Sequence, residues 1–259
     1  MPGLIIGPGL SLGTGLGGPT TGLSGGAGLI TGTGPGSLSS SLWLDPSDSS
    51  TLFQDTAGTI PATANDDPVG RINDKSGNGR NALQVGAAGT RPLLKVSGAL
   101  RWLEFDGTDD FLRVAFAMSQ PWERVSGIRQ ITWTINQRIY GPGAGAGDSF
   151  LFQNGVTPTL SLHDGLSGCD NTGAAVDADA VATERHNGAG SRLAIDNVAY
   201  TTNDTGAASS TGLTLASDGT PADFGNFRCY GLVMVPRLLT DAEIAMLRTY
   251  YAAKQGRVL

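Results

Sequence analysis

No charged side chain occurs before Asp45. Within that stretch a Gly-Leu pair recurs at positions 3, 9, 15, 22 and 28, a step of six interrupted once by a step of seven. A fixed short period means one small structural unit repeated, and a unit this small has too little apolar surface to fold alone. It must lean on something else. Collagen is excluded, because a triple helix needs glycine at every third position. Here Leu4, Leu10 and Leu16 share one such register with Gly7 and Gly13. A six-residue step fits two turns of a threefold extended helix, and it equally fits three pleats of a strand. Both place Leu4, Leu10, Leu16, Leu23 and Leu29 on one side, while glycine elsewhere lets neighbouring chains approach closely. Residues 1–38 read as an extended assembly or anchoring segment, with a flexible linker as the plainer alternative.

Taking that segment from the 259 residues leaves a chain the size of one all-β sandwich, over 39–259. Its abundance of Gly, Asp, Asn, Thr and Ser favours many turns over long helices. A net charge of −6 with scattered basic residues argues against a nucleic-acid groove. No run of about 18 apolar residues is present, so no membrane insertion is expected. The apolar N-terminus lacks a basic leader and is broken by glycine, which argues against a secretory signal and for synthesis in a cytoplasm. Cys169 and Cys229 are the only cysteines. Two buried free thiols is the ordinary reading, and sequence leaves open whether they pair.

Past a short polar hinge at Ser37–Ser41, Leu42-Trp43-Leu44 reads as a strand closed by Asp45-Pro46. Asp66-Asp67-Pro68 and Asp74-Lys75-Ser76-Gly77-Asn78-Gly79 are strong turn signals. Strands are expected at 100–105, 111–114, 150–152, 159–162, 192–195, 198–201 and 228–235. The cleanest alternation is Ile131-Thr132-Trp133-Thr134-Ile135, which reads as a half-buried antiparallel strand. Asp196-Asn197 is a hairpin signal, and Gly141–Gly147 a flexible loop. One helix is well specified: Thr240 and Glu243 form a capping box, Ile244, Leu247 and Tyr251 share a face, and Gly256 is placed to stop it.

Several of these segments together resemble the laminin-G-like, concanavalin A-like family: Leu42-Trp43-Leu44-Asp45-Pro46-Ser47-Asp48, the Asp74–Gly79 turn, Leu103-Glu104-Phe105-Asp106-Gly107-Thr108-Asp109-Asp110-Phe111-Leu112, Tyr230-Gly231-Leu232-Val233 and Arg237-Leu238-Leu239-Thr240-Asp241-Ala242-Glu243-Ile244. The resemblance covers residues 41–259. It implies an all-β, two-sheet antiparallel jelly-roll sandwich with one C-terminal helix, used for carbohydrate or protein adhesion. Behind a glycine-rich head, such a domain looks like a phage or phage-derived virion protein. The expectation is a non-enzymatic spike, head-fibre or tail-fibre protein on the particle surface. Residues 1–38 would join other virion proteins or a homo-oligomer, a trimer among the options, and the sandwich would meet a host-surface glycan. A capsid decoration protein that binds no sugar is the alternative.

Sites are less sharply marked. In the family, loop aspartates in some cases bind Ca²⁺, and Asp106, Asp109 and Asp110 are the matching candidates, although Asp106-Gly107 also makes an ordinary turn. No other cofactor is expected. Some relatives with this fold cleave polysaccharides through a Glu-x-Asp-x-x-Glu strand. Glu104-Phe105-Asp106 offers only its first half, with Asp109 and Asp110 where the second glutamate is needed. His163 and His186, on polar loops, read as surface residues. For sugar stacking, Trp43, Trp102 and Trp133 alternate within strands and read as core. Trp122 lies outside any strand pattern and is the first candidate, with Tyr140 beside the glycine loop second.

Overall fold

The structure, a computed structural model, describes residues 34–87, 89–143 and 149–259. The repeat leucines Leu4, Leu10, Leu16, Leu23 and Leu29 lie outside the described residues. In chain order the strands are β1 (Leu42–Leu44), β2 (Leu52–Phe53), β3 (Arg71–Ile72), β4 (Ala82–Leu83), β5 (Leu93–Ser97), β6 (Leu100–Asp106), β7 (Leu112–Met118), β8 (Trp122–Gln130) and β9 (Arg138–Gly141). They continue as β10 (Ser149–Gln153), β11 (Leu160–Asp164), β12 (Gly168–Asn171), β13 (Asp179–His186), β14 (Ser191–Ile195), β15 (Thr201–Asn203), β16 (Ser210–Leu215) and β17 (Asn226–Val235), before helix α1 (Asp241–Lys254).

These strands make two antiparallel sheets. One has eight strands, ordered β15-β14-β13-β8-β17-β6-β5 with β1 also on β17; the other has nine, ordered β12-β11-β10-β9-β16-β7-β4-β3-β2. Alternation along each strand turns one set of side chains inward. Leu94, Leu103, Phe105 and Phe227 from the eight-stranded sheet meet Leu112, Leu151, Leu162 and Leu213 from the nine-stranded one in a single core. Phe105 and Phe227 stack at 5.0 Å. The expected all-β sandwich with one C-terminal helix is the observed fold.

Helix α1 covers the outer face of the eight-stranded sheet. Its start is the expected capping box: Glu243 N donates to Thr240 Oγ1 at 3.3 Å, and Thr240 N donates to Glu243 Oε2 at 2.8 Å. Ile244, Leu247 and Tyr251 press onto Val125, Val181, Val233 and Val235, each large side chain contributing about 1.5–3 kcal/mol through burial. Room for Tyr251 comes from Gly127 and Gly231, paired across β8 and β17. Gly231 holds φ +135° at a bulge, where a Cβ would stand 2.9 Å from the Leu44 carbonyl and 3.2 Å from the Tyr251 ring. Leu38 and Trp43 pack with Met246 and Tyr250 on this same side, and Gly34 lies against the Tyr250 ring. The chain therefore joins the sandwich on its helix side.

Three expectations fail locally. Residues 131–136 form a loop rather than a strand. Thr134 N donates to Gln153 Oε1 at 2.9 Å, the Thr132 carbonyl accepts from Gln153 Nε2 at 2.8 Å, and Asn136 turns at φ +71°. A glutamine side chain thus replaces the ladder, Ile135 is 46% exposed and Trp133 is only half-buried. Conversely, residues 122–130 form the central strand β8, which carries too many charges to be read as a strand from its own pattern. At 195–198 the Val198 N–H donates to the Ile195 carbonyl at 3.0 Å, with Asp196 at φ +50°. The turn is as expected, but pairing resumes only at Thr201.

Candidate functional site

Trp122 and Tyr140, proposed above as sugar-stacking aromatics, are both fully buried. Each points inward from a strand, Trp122 from β8 and Tyr140 from β9, into a polar layer between the sheets. Trp122 stacks on His186 with ring centres 3.4 Å apart, and Arg124 lies 4.2 Å over the Tyr140 ring. Arg124 donates Nε and Nη2 to the two oxygens of Glu184 at 2.8 and 2.5 Å. His186 Nδ1 lies 2.8 Å from Asp164 Oδ1, which bridges the sheets, while the Thr205 hydroxyl donates to Asp164 Oδ2 at 2.7 Å. Burial favours neutral forms here, but the opposite charges prevail: Glu184 falls below its ordinary value beside Arg124, Asp164 falls beside His186, and His186 rises beside Asp164 and Glu184. Nothing outside can reach these groups. His186 is thus core, not surface as expected.

The outer face of the nine-stranded sheet has a different character, because no helix among the described residues covers it. Directly paired residues of antiparallel strands point to the same side. One such row runs Arg138 (β9), Phe152 (β10), Ser161 (β11), Asp170 (β12), and the adjacent row pairs Phe150 with His163. Leu151 between the two phenylalanines points into the core. A bulge between Leu151 and Phe152 turns Arg138 outward although Tyr140 points in. The Arg138 guanidinium lies 4.4 Å from the Phe150 ring centre and 5.0 Å from that of Phe152, geometry that supports cation–π attraction. Burial pulls this guanidinium below its ordinary value, opposed by Asp223, 3.6 Å away, and by Asp218. Asn154 Nδ2 donates to Asp170 at 3.2 Å. At the same end of β10, Trp133 Nε1 donates to the Gly155 carbonyl at 2.9 Å. Further across, Phe53, Arg71, Leu83, Arg113 and Thr214 form another outward row. The Pro142 carbonyl sits over Thr214, accepting its hydroxyl at 2.6 Å.

This patch joins half-buried aromatic faces, fixed guanidinium donors, a carboxylate and an amide. Rings can stack on sugar C–H faces, while Arg138, Asp170 and Asn154 offer donors and acceptors to hydroxyls. Sequence reading found strand 150–152 but not its use. The signal was there: in Ser149-Phe150-Leu151-Phe152-Gln153 the aromatics alternate with the core leucine, so both must face away from the core.

Asp106, Asp109 and Asp110 do converge, with carboxylate oxygens within 4.8 Å of one another. Burial and the neighbouring Asp106 and Asp109 push the Asp110 carboxyl up to about 7. The donor set suits a hard cation such as Ca²⁺. Glu104 faces the helix side of the eight-stranded sheet, where Arg228 Nε donates to it at 2.9 Å and Trp102 Nε1 at 3.2 Å. Cys169 and Cys229 are both free and buried.

No protein-family model matches this chain, and no curated protein is similar to it in sequence. Solved structures share its fold. Domain 4 of AbnA, a GH43 extracellular arabinanase from Geobacillus stearothermophilus in complex with arabinotriose, is 13% identical with a TM-score of 0.52, over 66% of this chain and 90% of that one. The binding domain of botulinum neurotoxin DC in complex with SialylT is 15% identical with a TM-score of 0.50, over 84% of this chain and 51% of that one. A sialidase of Trypanosoma rangeli is 12% identical with a TM-score of 0.50; the match covers 75% of this chain but only 32% of the sialidase. At these identities the likeness is one of fold.

Proposed function

We propose that this chain is a non-enzymatic carbohydrate-binding sandwich whose ligand lies on the uncovered face of the nine-stranded sheet, across Arg138, Phe150, Phe152 and Asp170. The observation that carries this reading is the Arg138 guanidinium held over two outward phenylalanine rings on a broad sheet face that no helix covers among the described residues. Two solved sandwiches of like fold, the arabinanase domain with arabinotriose and the neurotoxin domain with a sialylated ligand, support the ligand class. The engagement of Glu104 by Arg228 and Trp102, and the burial of His186, favour binding over hydrolysis.

The wider reading is a virion surface protein, anchored or co-assembled through its charge-free repeat. Support comes from the entry of the chain beside α1, on the side of the sandwich opposite the proposed binding face. An anchored segment there leaves that face pointing away from the particle. Glycan-array screening of the full chain tests the binding claim. Binding that falls about tenfold in Phe152→Ala supports it, since an aromatic face contributes about 0.5–1.5 kcal/mol beyond its buried area. Retention of binding by that variant places the ligand elsewhere, and absence of any glycan binding leaves the decoration reading. Removal of residues 1–33 tests anchoring: a truncated chain that still joins particles refutes it.

A further inference from the structure

On the other side of the molecule, beside α1, lies a second group of arginines. Antiparallel pairing sets Arg192 (β14) against Arg185 (β13), and Arg185 against Glu123 (β8), on the helix-covered face. Arg185 is paired with the buried Glu123 carboxylate. Arg192 and Arg248 of α1 have no carboxylate within salt-bridge distance among the described residues. Both stack on a single ring: Arg192 lies 3.9 Å and Arg248 5.1 Å from the Tyr200 centre. Arg248 Nε donates to the Thr183 hydroxyl at 3.0 Å. Three donors around this stack, Arg192 Nε, Arg248 Nη2 and Tyr200 Oη, are withdrawn from solvent with no hydrogen-bond partner among the described residues, as is one acceptor, Oε2 of the Glu123 carboxylate that Arg185 holds. Tyr200 and Arg248 line a cavity of about 350 Å³ together with the apolar Ile244, Ala245 and Leu259; Asn197 and the Asp241 carboxylate line it as well.

We infer that this cavity is an oxyanion site, built to take a carboxylate, sulfate or phosphate group at Tyr200 and Arg248, with Arg192 stacked on the Tyr200 ring adding positive charge beside it. The three unmatched donors outnumber the one unmatched acceptor, so their complement is a group rich in acceptors. Leaving such donors buried and unmatched is unfavourable by about 1–3 kcal/mol each. Arg248 and Arg192, neither ion-paired to the lining carboxylate Asp241, supply the positive charge. The apolar wall suits the remainder of an organic anion, for example an acidic side chain or terminus of a neighbouring protein. The site is on the anchoring side, away from the proposed glycan face, and is independent of that reading.

Calorimetric titration of the full chain with sulfate, phosphate and acetate, in chloride buffer of matched ionic strength, tests it. A saturable one-to-one heat is expected, and in Tyr200→Phe, which keeps the ring and its stacking, affinity should fall at least about tenfold. Arg248→Lys, retaining charge but not the planar fork, should weaken binding in the same direction. Acetate binding as well as sulfate identifies a carboxylate site; preference for sulfate and phosphate identifies a tetrahedral one. No saturable heat in the wild type, or unchanged affinity in both variants, overturns the proposal.

Discussion

Two arginine–aromatic clusters in this molecule share their chemistry and differ in their surroundings. Arg124 lies over Tyr140 and near Trp122, and Arg138 lies over Phe150 and Phe152. The inner cluster is closed in charge: Arg124 is bidentate on Glu184, and His186 faces Asp164. The outer one is not, since Asp223 stays 3.6 Å from Arg138 and is itself 47% exposed in its side chain. The inner charges meet one another out of reach of solvent and serve the fold, although His186 Nε2, Trp122 Nε1 and Tyr140 Oη keep no hydrogen-bond partner among the described residues. A half-buried guanidinium on stacked rings keeps capacity for something else. Fully buried aromatics here are structural, and the functional reading moves to rings that face out.

The largest effect that can break this contrast is loss of one inner charge. Glu184→Gln should destabilise the fold by about 3–5 kcal/mol in guanidinium unfolding, because Arg124 is left buried and unpaired. Replacing both partners, as Arg124→Met with Glu184→Leu, should recover most of that loss. The outer counterpart, Arg138→Met, should stay within about 1 kcal/mol and act on ligand affinity instead. If Arg138→Met costs as much as Glu184→Gln, the two clusters are equally structural and the proposed face loses its main support.

Next in size is the pH dependence of the inner layer. Asp164 and Glu184 lie below their ordinary values of 3.8 and 4.5, so their stabilisation is complete above that range and lost as pH falls through the depressed values. His186 lies above its ordinary 6.5, so its stabilisation is complete below 6.5 and lost as pH rises through the raised value. Thermal stability should therefore be greatest between about 4.5 and 6.5, and His186→Asn should flatten the alkaline decline. An unchanged alkaline limb in that variant would show that the His186–Asp164 bridge carries no charge.

How much of this was legible differs by element. Helix α1 could be read outright because its cap, its buried face and its stop are local to Thr240–Gly256. Strand β8 could not, because Glu123, Arg124 and Arg129 are matched by Arg185, Glu184 and Asp177, which come from β13 and the loop before it. A charged strand becomes a central strand only when its partners are known. Trp133 failed in the opposite direction: its local alternation is real, but Gln153 captures that backbone from another strand. The outer patch was half legible, since the alternation of Phe150 and Phe152 around Leu151 gives the facing but not Arg138, which reaches that face through a bulge.

The smallest expected effect concerns Asp110, where charge is neither closed as in the inner layer nor open to a glycan. Its carboxyl, pushed up to about 7, binds a proton more tightly folded than unfolded. Stability from this residue therefore falls as pH rises from about 3.8 towards 7, and the penalty is complete above that. Asp110→Asn should raise the unfolding midpoint modestly at pH 8 and leave it unchanged at pH 3. Ca²⁺ should mimic that gain in the wild type by neutralising the cluster of Asp106, Asp109 and Asp110, and should do less in the variant. A midpoint indifferent to Ca²⁺ at pH 8, together with the predicted gain in Asp110→Asn, would separate the two roles: the aspartates would then be a strained turn that the fold tolerates, not a cation site that the fold maintains.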